Sequence, residues 1–240
     1  MVGEAGWYTE KLARRIVVAI DGPAGAGKST IARRVAGKLG ILYIDSGAMY
    51  RAVAYWARKI GVALDDMHRL EQLASEAEIE FRDGSTRVLL NGEDVTEAIR
   101  TPEIGEAASK VATVPGVRRA LVEKQRAMGE ATSVVMEGRD IGTVVFPAAD
   151  VKIFLDANAE ARAGRRLREL NERGEAVNAS EVEGEISERD LRDRSRAESP
   201  LVQAPDAVYL DSSGRSIEEV EELVLKLVRE RTSNGKGFGN

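Results

Sequence analysis

The sequence predicts an α/β protein whose core is a five-stranded, mostly parallel β-sheet flanked by helices. Short, almost entirely apolar runs recur along the chain, helical patterns follow most of them, and a glycine-rich loop follows the first run. Parallel strands covered by helices on both faces are apolar nearly throughout, and alternation of strands with helices is typical of such sheets. The chain has 240 residues, 43% of them hydrophobic, which is enough for one or two domains with a substantial core.

The alternation can be followed from one end of the chain to the other. Strands of the main sheet are expected at residues 16–20, 41–44, 133–136, 151–155 and 207–210. Apolar positions at helical spacing predict helices at residues 29–39, 48–60, 115–128, 159–171, 180–197 and 217–229. Gly40 is expected to end the first helix. Ligands of parallel sheets bind beyond the carboxyl ends of the strands, so the segments that follow these strands are the candidates for a site.

Residues 65–112 depart from this alternation, which indicates an inserted subdomain. A helix is expected at 64–77, and the turn Asp83-Gly84-Ser85 would join two short strands into a hairpin. A further helix is expected at 102–112, with Pro102 near its start, where the missing N–H costs little. The remaining divisions are an α/β core over 16–64 and 113–230, a loosely ordered arm over 1–15 and a flexible tail over 231–240.

The glycine-rich loop has the sequence Gly22-Pro23-Ala24-Gly25-Ala26-Gly27-Lys28-Ser29. This is the pattern G-x-x-x-x-G-K-[ST] between a strand and a helix, the context in which it predicts the phosphate-binding loop of a P-loop NTPase. Glycines let successive N–H groups point at phosphate oxygens, and the following helix adds the positive end of its dipole. Lys28 would reach the outer phosphates, and the Ser29 hydroxyl would ligate Mg²⁺.

Composition excludes several other classes of protein. A net charge of −5 argues against a general nucleic-acid binder. The chain contains no cysteine and one histidine, His68, so a disulfide framework, a thiolate metal site and a histidine cluster are all excluded. No apolar run approaches the length of a membrane span, and the first residues lack the apolar core of a signal peptide. A cytoplasmic protein without a membrane partner is expected.

The segment from Arg162 to Arg196 forms a second candidate feature. It contains nine arginines, no lysine and nine acidic residues, so it is neutral and unlike a nucleic-acid surface. One interpretation is a solvated pair of helices held by i,i+4 ion pairs. The other is a lid of about residues 158–198 that brings arginines over bound phosphates, because Arg189, Arg192, Asp193 and Arg196 share one helical face. Arginine suits bidentate contacts to phosphate oxygens, and a lid excludes water from a phosphoryl transfer.

Four motifs in sequence order resemble those of bacterial cytidylate kinases, a branch of the nucleoside monophosphate kinases. They are residues 20–30 around the loop, Asp45-Ser46-Gly47-Ala48-Met49-Tyr50-Arg51, Glu137-Gly138-Arg139-Asp140-Ile141-Gly142-Thr143 and residues 189–196. The resemblance covers about residues 16–230. It implies phosphoryl transfer from ATP to CMP or dCMP with Mg²⁺, and a core with an NMP-binding insert and a mobile lid. It is compatible with a monomer that has no nucleic-acid partner.

The resemblance also implies roles for individual residues. ATP would contact Gly22, Pro23, Ala24, Gly25, Ala26, Gly27, Lys28, Ser29, Thr30 and Arg165. CMP would contact Ser46, Arg51, Ser109, Arg118, Arg139, Asp140, Arg189 and Asp193. Among these, Arg51 and Arg139 would hold the acceptor phosphate, while Ser109, Arg118 and Asp140 would bind the base and Asp193 the sugar hydroxyls. The catalytic residues would be Lys28, Arg139, Arg189 and Arg196, and the metal ligand would be Ser29.

Alternatives remain open at this level. A kinase of the same fold could act on UMP, AMP or another small acceptor. A GTP-binding switch is less favoured, because the chain contains no N-K-x-D segment; a non-catalytic nucleotide-binding module would leave the arginine face unexplained. Ser109 and Arg118 lie outside the four motifs, and each could instead be an ordinary surface residue.

Overall fold

The computed structural model describes residues 14–82, 86–172, 174 and 178–233. Most of the arm expected over 1–15, most of the tail expected over 231–240 and the whole turn Asp83-Gly84-Ser85 lie outside these residues.

The predicted five-stranded sheet is confirmed, and all of its strand pairs are parallel. The strand order is β2-β6-β1-β7-β8, which puts the strand before the glycine-rich loop at the centre. The strands are β1 (Val17–Asp21), β2 (Leu42–Asp45), β6 (Val134–Gly138), β7 (Val151–Asp156) and β8 (Val208–Asp211). The helices are α1 (Lys28–Leu39), α2 (Ser46–Lys59), α3 (Met67–Glu76), α4 (Pro102–Val111), α5 (Pro115–Ala131), α6 (Ala159–Glu172), α7 (Ala179–Ser195) and α8 (Ile217–Ser233).

The central strand β1 is buried on both faces, which explains its uninterrupted apolar sequence. Val18 and Ile20 pack into one cluster with α1 and α8, and Val17 and Ala19 pack into another with α5 and the segment after β6. Successive side chains of a strand point to opposite faces. The strand β1 is therefore held between two apolar layers, which fix the position of the loop that follows it.

Residues 67–111 form a separate layer beside the main sheet. A small antiparallel sheet of β3 (Ile79–Arg82), β4 (Arg87–Leu90) and β5 (Glu93–Asp94) packs with α3 and α4 into one cluster that also takes in α2 and α5. Asn91 and Gly92 both have positive φ, as a tight turn between β4 and β5 requires. The apolar faces of α2 and α5 therefore join this layer to the rest of the chain.

The structure differs from the sequence-based expectations mainly at element ends. Helix α2 begins at Ser46 rather than at 48, because the Asp45 carboxylate caps it by accepting a hydrogen bond from the N–H of Ala48. The short strand β5 and a single π-helical turn, Ile141–Val145, were not expected. Gly40 ends α1 in the left-handed conformation, as predicted.

The parallel arrangement brings five chain segments to one edge of the sheet. The glycine-rich loop, Ser46, Arg139 and Asp140, Ala157 and Ser212 follow β1, β2, β6, β7 and β8 in turn. Among the described residues, no helix is both long and apolar enough to cross a membrane.

Candidate nucleotide-binding site

The glycine-rich loop crosses the carboxyl edge of the sheet between β1 and α1. Gly22, Gly25 and Gly27 have φ values of 150°, 75° and 90°, which residues with a Cβ rarely adopt. Packing adds a second constraint at Gly22, because a Cβ there would lie 1.9 Å from the carbonyl oxygen of Leu155 in β7. The loop therefore keeps its shape only with glycine at this position.

Helix α1 begins directly after the loop, and no side chain caps its start. Gly27 occupies the N-cap position, and the first turn contains no acidic residue. Ser29 and Thr30 are exposed on this first turn. The first N–H groups of a helix lack intrahelical partners and carry the positive end of its dipole, so this helix start is suited to a phosphate.

Lys28 lies buried under the loop rather than extended into solvent. Its Nζ donates a hydrogen bond to the carbonyl of Pro23 at 2.7 Å. Burial, followed by the nearby Arg139 guanidinium, lowers the pKa of Lys28 from 10.5 to about 7, while Glu137 opposes this change. An anion between these two cations would relieve both effects, because an opposite charge favours the charged form.

Glu137 provides a carboxylate beside the loop. It is buried and accepts a hydrogen bond from the Tyr43 hydroxyl at 2.7 Å, while the Ser29 hydroxyl is a second donor to it. Burial and the neighbouring Asp45 raise the pKa of Glu137. The Ser46 hydroxyl donates to the Glu137 carbonyl at 2.6 Å, which ties the start of α2 to the end of β6.

Arg118 of α5 and Asp140, which follows β6, form a buried ion pair. Both side chains are less than a tenth exposed, and the Arg118 guanidinium also donates to the carbonyl of Ala112 at 3.3 Å. The guanidinium carbon lies 5.6 Å from the centre of the Tyr50 ring, within range of a cation–π contact. The alternative of a surface position for Arg118 is therefore wrong.

Ser109 on α4 is likewise buried, so the alternative of a surface position is wrong for this residue too. Its hydroxyl accepts a hydrogen bond of 2.7 Å from the Arg192 guanidinium on α7. The contact joins residues 83 positions apart in the chain and connects the inserted layer directly to the arginine-rich helix pair.

Two further ion pairs line the space between the loop and α7. Arg139 donates to the Asp193 carboxylate at 2.7 Å, and Arg51 donates to Asp45 at 2.6 Å. The Arg51 and Arg139 side chains are about one quarter and one fifth exposed. Burial acts to raise the pKa of the Asp193 carboxyl. The nearby arginines, Arg139 most of all, outweigh burial and hold this pKa below its usual value.

Several buried arginine nitrogens in this space have no hydrogen-bond partner. The Nε atoms of Arg51 and Arg189 and one terminal nitrogen of Arg196 are buried without a hydrogen bond. Burial, with Arg139 as the next cause, lowers the pKa of Arg189 from 12.5 to about 10. A buried donor without an acceptor carries a desolvation cost, so these groups mark a position that an anion would stabilise.

The helix pair α6–α7 contacts the glycine-rich loop through arginine side chains. Arg162 is buried, pairs with Asp190 of α7 and donates to the carbonyl of Ala24 at 3.2 Å. Arg165 donates to the hydroxyl and the carbonyl of Ser212 at 3.0 and 2.6 Å. The arginines of this segment are therefore not only solvated i,i+4 partners, since two of them contact the loop and the segment after β8.

The side chain of Asp21, the residue before the glycine-rich loop, contacts the backbone of the segment after β6. Its buried carboxylate accepts hydrogen bonds from the N–H groups of Ile141 and Gly142 at 2.8 and 2.7 Å. Burial raises the pKa of Asp21 from 3.8 to about 6, against these two hydrogen bonds. The residue before the glycine-rich loop thus holds the turn that directly follows Asp140.

The structure brings most of the predicted site residues to one region. The loop 22–27 and Lys28 form its floor, Ser46, Arg51, Arg139 and Asp140 lie along the sheet edge, and Arg189, Asp193 and Arg196 close it from α7. Ser109 and Arg118 lie on the side of the inserted layer. Arg165 also contacts the loop, since its guanidinium donates to the Gly25 carbonyl at 3.5 Å and to Ser212.

Sequence reasoning missed five residues that shape this region: Asp21, Tyr43, Arg162, Arg192 and Ser212. The sequence indicated Asp21 only as the residue before the loop pattern, and it indicated Arg192 only as one of several residues on the same helical face. The contacts of Tyr43, Arg162 and Ser212 join segments 94, 138 and 186 residues apart, so no local pattern could have indicated them.

The oxygen ligands near the loop fit a magnesium ion that arrives with a nucleotide. Among the described residues, no three acidic or histidine side chains form a group that could hold a metal alone. Mg²⁺ is usually held by one or two protein oxygens together with phosphates and waters. The adjacent Ser29 hydroxyl and Glu137 carboxylate supply such a pair.

The comparisons with known proteins show the family of the chain. The family model described as cytidylate kinase matches residues 18–230. The chain is 61% identical over 227 residues to the cytidylate kinase of Solibacter usitatus, covering 94% of this chain and 97% of that protein. It is 52% identical to the cytidylate kinase of Pelotomaculum thermopropionicum, covering 88% and 95%, and 50% identical to that of Syntrophotalea carbinolica, covering 91% and 94%. The chain belongs to the cytidylate kinase family.

Proposed function

We propose that the protein transfers the γ-phosphoryl group of ATP to CMP or dCMP, giving ADP and CDP or dCDP, with Mg²⁺ as the cofactor. The observation that carries this proposal is a site with two cationic sides. The loop with Lys28 forms one side, and Arg139 with the unpaired donors of Arg51, Arg189 and Arg196 forms the other. Binding of a single nucleotide requires cations on only one side of the site, whereas transfer of a phosphoryl group from one nucleotide to another requires cations on both sides.

On the donor side, the loop N–H groups and the start of α1 hold the β- and γ-phosphates. The Gly22–Gly27 backbone fits this role through its positive φ values, and Lys28 exchanges the Pro23 carbonyl for a phosphate oxygen. Arg165 and Thr30 contact the donor at the ends of the loop. Mg²⁺, held by Ser29 with Glu137, would neutralise phosphate charge.

On the acceptor side, Arg51 and Arg139 hold the α-phosphate of CMP, and Arg189 and Arg196 approach the transferred group. A phosphoryl group in transit spreads negative charge over its oxygens, so fixed cations stabilise the transition state. The acceptor phosphate is already an anion, so alignment rather than a general base is required.

The base is read by Asp140 with Arg118, Ser109 and Ser46 nearby, and Asp193 takes the sugar hydroxyls. A carboxylate accepts a hydrogen bond from the exocyclic amine of cytosine and repels the oxygen that uracil carries there. Both Arg118 and Asp140 are buried, and buried polar contacts give strong discrimination between analogues.

We assign three working parts to the chain on this basis. Residues 16–64 and 113–230 form the core, residues 65–112 the acceptor-binding insert, and about 158–198 within the core the lid. We also propose a monomer as the working unit.

An ADP-release assay with ATP, Mg²⁺ and a panel of acceptors tests the proposal. We expect CMP and dCMP to be the best acceptors among CMP, dCMP, UMP, AMP and GMP, with little ADP formed when no acceptor is present. The Lys28→Met variant, prepared in the same way, controls for contaminating activity. Equal or better turnover of AMP or UMP would overturn the choice of acceptor, and acceptor-independent GTP hydrolysis would overturn the kinase.

A further inference from the structure

Helix α7 carries two adjacent side chains that reach opposite walls of the acceptor site. Asp193 receives the Arg139 guanidinium of the core at 2.7 Å, and Arg192 donates to the Ser109 hydroxyl of the insert at 2.7 Å. The N–H of Leu201 holds the Asp193 carbonyl at 2.8 Å. The end of α7 is therefore connected to the core and to the insert at once.

The Arg192–Ser109 contact has a chemical consequence for Ser109. A serine hydroxyl has one donor and two acceptor positions and rotates freely when unpaired. Arg192 carries a permanent charge and only donates, so it occupies one acceptor position of Ser109 and restricts the rotation of the hydroxyl. Hydrogen bonds with an ionised partner are stronger than neutral ones. The orientation of Ser109 therefore depends on the position of α7.

Among the residues that the structure describes, no charged side chain replaces Ser109 as the hydrogen-bond partner of Arg192. Glu106, one turn before Ser109, pairs with Lys110 on its own helix at 2.8 Å and interacts with Arg192 only through space. Arg189 on α7 and Arg196 directly after it are cations like Arg192, and both are associated with Asp193.

We propose that Arg192 is a positioning residue that fixes Ser109 for recognition of the acceptor base, so that the base-reading wall is complete only when α7 lies over the site. The proposal rests on the proposed CMP kinase function. It adds a residue from the lid to base recognition, and it links occupation of the acceptor site to closure of the lid through one hydrogen bond.

A double-mutant cycle tests this link. Arg192→Ala, Ser109→Ala and the double variant are compared with the wild type for kcat and KM with CMP and with UMP, and for CMP dissociation constants by calorimetry in the presence of a non-hydrolysable ATP analogue. Arg194→Ala serves as the matched control, because Arg194 is exposed on the same helix. Melting temperatures check that each variant folds.

We expect Arg192→Ala to raise the KM and the dissociation constant for CMP about tenfold, the ratio for a charge-assisted hydrogen bond of roughly 1.4 kcal/mol. We expect kcat to change less, and the preference for CMP over UMP to fall. In the Ser109→Ala background, Arg192→Ala should have less than about a twofold further effect on CMP binding. Arg192→Lys, which keeps a positively charged donor on a shorter side chain, should restore part of the loss, and Arg194→Ala should behave as the wild type.

Equal effects of Arg192→Ala in the two backgrounds would overturn the proposal, as would a fall in kcat with an unchanged KM, which would place Arg192 at the transferred phosphate. Loss of CMP binding by Arg194→Ala would also overturn it. A wild-type protein that does not phosphorylate CMP would instead refute the proposed function, and the wild-type assay alone decides that question.

Discussion

The buried pair of Arg118 and Asp140 gives a prediction whose magnitude follows from its surroundings. Asp140→Asn keeps the shape of the side chain and one acceptor oxygen, but it leaves the Arg118 guanidinium in a site where only 4% of the arginine side chain is exposed. The direct partners that remain, the Ala112 carbonyl and the Tyr50 ring, carry no charge, and the Asp193 carboxylate acts on Arg118 only through space while it pairs with Arg139.

Removing one partner of a buried ion pair costs about 3–5 kcal/mol. Because asparagine still accepts a hydrogen bond, we expect the lower end, about 3 kcal/mol of unfolding free energy. For a chain of this size each kcal/mol shifts the melting temperature by about 2–4 °C, so the shift should be about 6–12 °C. Arg118→Met should also destabilise, and the double variant should lose less than the sum of the two.

Urea unfolding without nucleotide, followed by circular dichroism, measures these differences. The exposed pair formed by Arg119 of the same helix α5 and Glu71 of α3, 3.4 Å apart, is the matched control, because Glu71→Gln should cost less than about 1 kcal/mol. If Asp140→Asn unfolds at the same urea concentration as the wild type, or if the double variant loses the full sum, the pair does not act as a buried unit.

Three further predictions concern the loop and the charges around it. Gly22→Ala should lower the free energy of unfolding by more than about 3 kcal/mol, and Gly40→Ala should lower it by about 1 kcal/mol. Both glycines have positive φ, but only at Gly22 would the added Cβ clash with a backbone atom. Equal losses of unfolding free energy in the two variants would contradict this packing argument. Arg196→Ala should lower kcat at least about 100-fold with a smaller change in KM, and an effect confined to KM would move Arg196 to ground-state binding. The raised pKa of Asp21, about 6 in the folded protein, means that the native state binds the extra proton between pH 4 and 6. The stability of the wild type relative to Asp21→Asn should therefore fall by up to about 3 kcal/mol as the pH rises through that window, and a pH-independent difference between their unfolding free energies would refute it.

The local sequence determined most of the helices and strands, and it indicated the proposed donor half of the site. Apolar runs and helical spacing sufficed for the parallel sheet, because its three central strands are buried on both faces and are therefore apolar almost throughout. The loop pattern sufficed to propose the phosphate site, because its glycines and Lys28 lie within a few residues of one another.

Only the tertiary structure decided how the acceptor half is assembled. Arg118 and Asp140 are 22 residues apart and Ser109 and Arg192 are 83 apart, so each could equally have been a surface residue by its own sequence context. Which charge meets which depends on the strand order and on where α7 lies over the sheet. Long-range packing sets both, and the resemblance of motifs indicated these residues without giving the contacts between them.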